Sequence, residues 1–343
     1  MKQLLRRGGA LCLILLLCAA VLAPASAAED QGAGALTILF THDTHDRFLP
    51  VPDEEGGEYG GYTRLATLLR QERAAAETPV VTLDAGDFSM GSLFQTIYAT
   101  DAPELRALGQ MGYDVTTLGN HEFDYRARGL AEMLGAAVDS GDRLPAVVQA
   151  NYKPPAGDGA TRAAWENYGI GDYVVLERDG VRVAVFGLLG VDADECAPMS
   201  GMEFTPLAQA AQRVVETIQA QEAADYIVCL SHSGTTDGKG EDYELAKAVD
   251  GIDVIISGHT HSATQEPIRV NDTLIVSCGE YTRNLGVLTV EKTGEGLDTL
   301  DFRLVPIDET VTEDAAMTAM ARRFQQKVDE GYLAGFGLSF HCL

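Results

Sequence analysis

The sequence predicts an α/β protein built on a mixed sheet or two stacked sheets with helices outside, rather than on a single parallel sheet. Three observations carry this. Short apolar runs alternate with helical patterns from about residue 36 to residue 257. Beyond His261 the pattern changes to paired apolar runs around turn residues, the mark of hairpins. Hydrophobic residues are 46% and charged residues 22% of the 343, a globular balance that excludes a disordered, collagen-like or coiled-coil chain.

The elements follow in order. Leu36 to Thr41 reads as a strand entering the polar cluster His42–Asp46. Tyr62 to Ala75 carries Leu65, Leu68 and Leu69 at helical spacing. Val80 to Leu83 is a buried-strand run ending at Asp84-Ala85-Gly86-Asp87. Pro103 to Met111 reads as a helix, and Val115 to Leu118 as a strand running into Gly119-Asn120-His121. Gly129 to Val138 is helical, Ala146 to Ala150 a strand, and the Pro/Gly-rich stretch 154–159 a surface loop. Tyr173–Glu177 and Val181–Leu188 flank Arg178-Asp179-Gly180 as a hairpin with an Asp-Gly turn. A helix from Pro206 to Glu222 precedes the strand Tyr226–Leu230, which runs into Ser231-His232. The helix Tyr243 to Val249 leads to the strand Val254–Ser257 and then to Gly258-His259-Thr260-His261. Ile268–Val270 with Leu274–Ser277, and Gly286–Glu291 with Leu297–Val305, read as hairpins. A last helix after Thr312 sets Met317, Met320, Phe324 and Val328 on one face.

Residues 1–27 read as an export signal. Lys2, Arg6 and Arg7 precede the apolar run Leu11–Leu22, and Ala25-Ser26-Ala27 is a small-residue cleavage site. The run is short against the roughly 20 apolar residues of a membrane span. A secreted or cell-envelope protein is expected, with no stable membrane span after cleavage. Asp plus Glu is 51 against 25 Lys plus Arg, a formal charge of -26. That excludes nucleic acid as a partner, because such binding rests on cationic contacts to phosphate. A small phosphorylated substrate is compatible, since bound divalent ions reverse the sign of the local field. Cys196, Cys229, Cys278 and Cys342 lie beyond the signal without a CxxC pair, which argues against a thiolate zinc site. Cys229 and Cys278 fall in apolar runs and are expected to be buried.

Five strand ends carry polar clusters: Asp43-x-His45, Asp87, Asn120-His121, His232 and His259-x-His261. Loops at strand ends are where sites are built on α/β scaffolds. Each residue alone has a local explanation, a turn cap or a buried histidine. As a set, carboxylate, carboxamide and imidazole suit zinc, manganese or iron rather than calcium. Asp43, His45, Asp87, Asn120, His232, His259 and His261 suffice for two sites sharing one carboxylate, and His121 is left free for chemistry.

The blocks FTHDTHDRF (40–48), GGYTRLATLL (60–69), LDAGDFSMGS (83–92), GYDVTTLGNHEFD (112–124), LSHSG (230–234), ISGHTH (256–261) and GEYTRNLG (279–286) occur in order. In these the chain resembles the calcineurin-like metallophosphoesterases, and within them the bacterial 5′-nucleotidase and UDP-sugar hydrolase group. The resemblance implies a four-layer α/β/β/α sandwich over residues 36–308. It implies two divalent metal ions, zinc, manganese or similar. Asp43, His45 and His261 would bind the first and Asn120, His232 and His259 the second, with Asp87 bridging. His121 resembles the family's catalytic histidine and Asp124 its carboxylate partner; the alternative for Asp124 is a cap on the helix near 128. The activity implied is hydrolysis of phosphate monoesters, nucleoside 5′-monophosphates or related nucleotides, by water activated at the metals. The alternatives are a cyclic-nucleotide or nucleotide-sugar phosphodiesterase, or a non-catalytic metal-binding remnant without its substrate domain. Arg64 in the GGYTRLATLL block is read as structural.

Three departures from the family pattern matter. Asp46 stands where glycine is usual and is expected to be exposed. Arg126 stands where the GNHEFDxG pattern ends in glycine, so the loop after His121 is expected to differ in shape. Family nucleotidases carry a second domain that grips the base, and residues 309–343 read as the helix and tail that would begin it. Residues 28–35 are expected to form an N-terminal tail. A base site within this chain would have to come from elsewhere, and the segment 152–172 with Tyr152, Trp165 and Tyr168 is the candidate.

Overall fold

The computed structural model describes residues 34–340 apart from 54–55, 237 and 295. The expected signal peptide, most of the N-terminal tail, and His341 and Cys342 lie outside the described residues.

Two six-stranded sheets organise the chain. In the first, Leu36–Thr41 is central, parallel to Val80–Asp84 on one side and antiparallel to Asn284–Thr293 on the other. Val115–Thr116 and Ala146–Val147 extend one edge in parallel, and Gly296–Pro306 closes the other edge antiparallel. In the second, Tyr226–His232 lies between Val181–Leu189 and Val254–Ser257, parallel to both. Tyr173–Arg178 pairs antiparallel at one edge, and the hairpin Ile268–Val270 with Thr273–Val276 forms the other.

Strand alternation decides what each face buries. Ile38, Phe40, Val81 and Leu83 share one core with Val183, Val185, Val228 and Ile256, so the sheets face each other. Leu39, Val287 and Val147, pointing the other way, pack with the helices Tyr62–Ala75, Pro103–Met111, Arg126–Ser140 and Ala315–Gly331. Ala184, Phe186, Ile227 and Ile255 pack with Leu207–Gln221 and Glu241–Ala248. The layers run helices, sheet, sheet, helices, in keeping with the expected sandwich.

The hairpin turn at Asp179-Gly180 has both residues at positive φ, 50° and 87°, which matches the twist of its strands. The expected strand 146–150 shrinks to Ala146–Val147 with a single bridge from Val148 to Gly171. Among the helices that the sequence reading does not include are the following two. Gly159–Tyr168 is capped by Asp158, whose Oδ1 accepts from the Thr161 N–H, and Val191–Cys196 follows the strand Val181–Leu189 directly. Cys229 and Cys278 are buried as expected, and the three described cysteines are free. No helix among the described residues is long and apolar enough to cross a membrane.

Candidate functional site

The polar clusters meet where strands of both sheets end. The backbone there bends sharply: Asp43, His45, Asp46, Asp87, His259 and His261 all have φ between 45° and 75°. Such conformations cost non-glycine residues energy and concentrate at functional sites.

Asp43 sits at the centre, fully buried. Its Oδ2 accepts from His42 Nδ1–H at 2.5 Å and from the His259 backbone N–H at 2.9 Å. Its Oδ1 has no hydrogen-bond partner. Around that orphan oxygen stand His261 Nε2 at 3.4 Å, His45 Nε2 at 3.9 Å and His232 Nε2 at 4.0 Å. His45 is oriented by Nδ1 donating to the Met90 carbonyl at 2.9 Å, which leaves Nε2 as a lone-pair donor 3.1 Å from His261 Nε2. His232 is held likewise by Nδ1 and the Ala85 carbonyl at 2.9 Å, with Nε2 3.1 Å from Asp87 Oδ2 and 3.2 Å from Asn120 Oδ1. His259 turns Nε2 to Asp192 Oδ2 at 2.8 Å, which frees Nδ1.

The donor atoms fall into groups no more than 4.8 Å across: Asp43, His45 and His261 in one, Asp87, His232 and His259 in another. A third group joins His45 and Asp87 with His121. Imidazole nitrogens gathered around buried carboxylates, one of whose oxygens has no hydrogen-bond partner, fit divalent cations. The electrostatics agree. Burial alone would lower the His232 pKa, but the Asp87 and Asp43 carboxylates overcome it and push it up to about 10. The ion-free chain therefore carries a proton there that a cation would displace.

His121 lies at the edge of this cluster, half-buried, its Nδ1 2.9 Å from Asp124 Oδ2 and its backbone N–H donating to Asp87 Oδ1 at 2.9 Å. The hydrogen bond to Asp124 pushes its pKa up to about 9, against burial and with help from Asp87. The helix beyond begins at Arg126 with Tyr125 as its cap residue, so Asp124 partners the histidine rather than capping the helix.

The seven candidate ligands, His121 and Asp124 are thus in one place. Several contributors were missed. His42 accepts the Cys278 N–H on Nε2 at 2.8 Å and so presents Nδ1–H to Asp43. Glu122 is fully buried and accepts from the backbone N–H groups of Asp87, Ser89 and Gly119 and from Ser89 Oγ. Burial and the nearby Asp87 charge push it up to about 7. The Tyr281 ring packs against His45 and His261, at 5.1 and 5.4 Å, with the Arg47 guanidinium over it. Glu122 alone had a sequence signal, an acid inside the Asn120–Asp124 turn. Gly119 is required by close approach rather than by φ: a Cβ there would stand 2.2 Å from Asp87 Oδ1 and 2.7 Å from His232 Nε2.

Some expectations are corrected. Asp46 is not exposed but fully buried, and neither carboxylate oxygen has a hydrogen-bond partner. The tight turn that aims His45 inward, with Asp46 N–H bonded to the Phe88 carbonyl, carries its side chain into the interior. Arg126 keeps the glycine-like conformation, φ 61°, so the turn does not need glycine to take that shape. Tyr152 and Trp165 belong to the core, and the Tyr168 hydroxyl donates to the Pro145 carbonyl, so this segment offers no stacking platform. Arg64 is buried and paired with Glu58, as a structural residue would be.

This chain belongs to the calcineurin-like phosphoesterase family, whose model matches residues 36–263. It is 30% identical over 88% of its length to the "Trifunctional nucleotide phosphoesterase protein YfkN" of Bacillus subtilis, covering 21% of that protein. It is 32% identical over 68% of its length to the "Probable 5'-nucleotidase" of Treponema pallidum, covering 38% of it. The chain therefore spans well under half the length of these two relatives. Among solved structures it superposes on a 5'-nucleotidase precursor from Thermus thermophilus with a TM-score of 0.71 and 26% identity, over 86% of this chain and 59% of the other.

Proposed function

We propose that this chain is an exported phosphoesterase that uses two divalent ions, zinc, manganese or similar, to hydrolyse phosphate monoesters, with nucleoside 5′-monophosphates or related nucleotides as its substrates. The observation that carries the reading is the pair of donor groups around the orphan Asp43 Oδ1, with Asp87 within reach of both. Asp43, His45 and His261 would hold one ion, Asn120, His232 and His259 the other, and Asp87 both. When bound, such ions neutralise phosphate charge and make water a nucleophile near neutral pH.

The chain's own residues do the rest. Met90, Ala85 and Asp192 fix the tautomers of His45, His232 and His259. Asp124 holds His121 through Nδ1 and keeps the imidazole protonated beside His45 and Asp87. As the bond from phosphorus to the leaving oxygen breaks and that from phosphorus to the water oxygen forms, His121 Nε2–H gives its proton to the leaving oxygen. The basic start and apolar run before Ala27 support export.

The test is turnover of p-nitrophenyl phosphate and of its bis ester by the full chain, before and after a chelator and after restoring manganese. The monoester should be hydrolysed, the chelator should abolish this, and manganese should restore it. Preference for the bis ester would replace the monoesterase reading with a phosphodiesterase one. No turnover of either ester under saturating metal would defeat both.

A further inference from the structure

Beside His121 the surface holds a cation without a counter-charge. Arg126 is exposed, and among the described residues its guanidinium makes no ion pair; its contact is a hydrogen bond to Met199 Sδ at 3.6 Å. Two residues on, Arg128 pairs with Glu132. Arg126 also holds φ at 61°, a left-handed conformation that favours glycine and costs other residues energy. Neither the exposed side chain nor its backbone strain is repaid locally, which directs attention to what the guanidinium does.

Its position is informative. Asp124, two residues earlier, is bonded to His121. On the other flank the Ala127 N–H donates to the Ser200 carbonyl at 3.1 Å. From Ser200 the chain leads back to Asp192, which is bonded to His259. Arg126 and Met199 thus meet where the turn after His121 and the segment after Asp192, the partner of His259, form one strip of surface. The large apolar side chains Tyr125, Val191 and Met199 are exposed along that strip. The scissile phosphoryl group is already provided for by the donor groups and His121. A second anionic group on the same substrate would meet the strongly acidic field of the protein, unless a cation stood outside that cluster.

We infer that Arg126 and Met199 form a leaving-group subsite for organic phosphates bearing a second anionic group, of which a nucleoside diphosphate is the type compound. Arg126 pairs with the non-reacting phosphate, for which its planar fork is suited. Met199 and Tyr125 lie against the nucleoside. This rests on the phosphoesterase reading above.

The experiment uses the full chain loaded with manganese and compares ADP with p-nitrophenyl phosphate, together with ADP affinity by calorimetry. Glycine accommodates φ 61°, so Arg126→Gly should melt no lower than the parent, and a folding defect is read separately. In that variant the kcat/KM ratio of ADP to p-nitrophenyl phosphate should fall by about tenfold or more, through KM, with a matching loss of ADP affinity. Arg126→Lys, which keeps the charge, should hold the ratio within about threefold. An unchanged ratio or an unchanged ADP affinity in folded Arg126→Gly overturns the subsite and leaves the phosphoesterase reading intact. Absence of metal-dependent p-nitrophenyl phosphate hydrolysis in the parent defeats that reading instead, while the affinity comparison still decides the subsite.

Discussion

The backbone N–H of Cys278 donates to His42 Nε2 at 2.8 Å, across 236 positions of sequence. This one bond settles the His42 tautomer and commits its Nδ1–H to Asp43. His42→Ala should remove an orienting donor from Asp43 and strand a buried N–H. Ion affinity, read by competition with a chromogenic chelator, should drop by about 10–100-fold. Stability of the ion-free chain should fall by about 1–3 kcal/mol. Unchanged affinity would mean that Asp43 is held without His42.

On the proposed assignment Asp87, which lies near both His45 and His232, serves both ions, whereas His45 serves one. Elemental analysis after equilibration with manganese should find Asp87→Ala depleted of both ions and His45→Ala of one. Equal content in the two variants would contradict a shared carboxylate.

On the proposed mechanism His121 acts while protonated, so activity should decline as pH rises through its pKa. Asp124 supplies the largest upward contribution to that pKa, which stands at about 9. Asp124→Asn should therefore shift the alkaline limb of the kcat/KM profile to lower pH. His121→Ala should retain its ions while kcat falls by about 10²–10⁴. A limb that does not move, or ions lost from His121→Ala, would remove this pair from the chemistry.

Burial pushes Asp46 from its ordinary 3.8 up to about 7. Unfolded chains ionise near 4 and the folded chain near 7, so the folded state binds more protons between those values. Stability then declines as pH rises from 4 to 7. Asp46→Gly removes the buried carboxylate and suits φ 45°. The variant should exceed its parent by about 1–3 kcal/mol at pH 8, with the gap narrowing toward pH 4. Urea unfolding of the ion-free proteins checks this, and a gap independent of pH would refute it.

The ligand set was legible because polar residues at the ends of apolar runs stand out along a line of sequence. The helix Pro103–Met111 and the strand Val254–Ser257 were legible to the residue, for proline opens the first and a glycine closes each. What failed to show were relations through space. Asp46 looked exposed because an aspartate beside a histidine has no periodicity to betray its direction. Asp192 could not be tied to His259, 67 positions away, nor Tyr281 to His45. Tyr152 and Trp165 looked like a platform since aromatic residues in a Pro/Gly-rich region carry no mark of which side they face. Helix Gly159–Tyr168, which turns Trp165 into the core, begins at a glycine that the sequence reading took for loop.

The central strand Leu36–Thr41 takes one neighbour from Val80–Asp84 and the other from Asn284–Thr293. The first pairing is the more local in sequence, while the second joins segments about 250 positions apart. The loop that carries Asp43 depends on the same closure, since two of the bonds that shape it come from Cys278 and from the Tyr281 N–H, which donates to the Asp43 carbonyl. Closing so long a loop is slow relative to local pairing. A chain in which Asn284–Thr293 is not yet paired thus lacks the frame for its first donor group. On the proposed reading, occupancy of that group reports that this long-range pairing has formed.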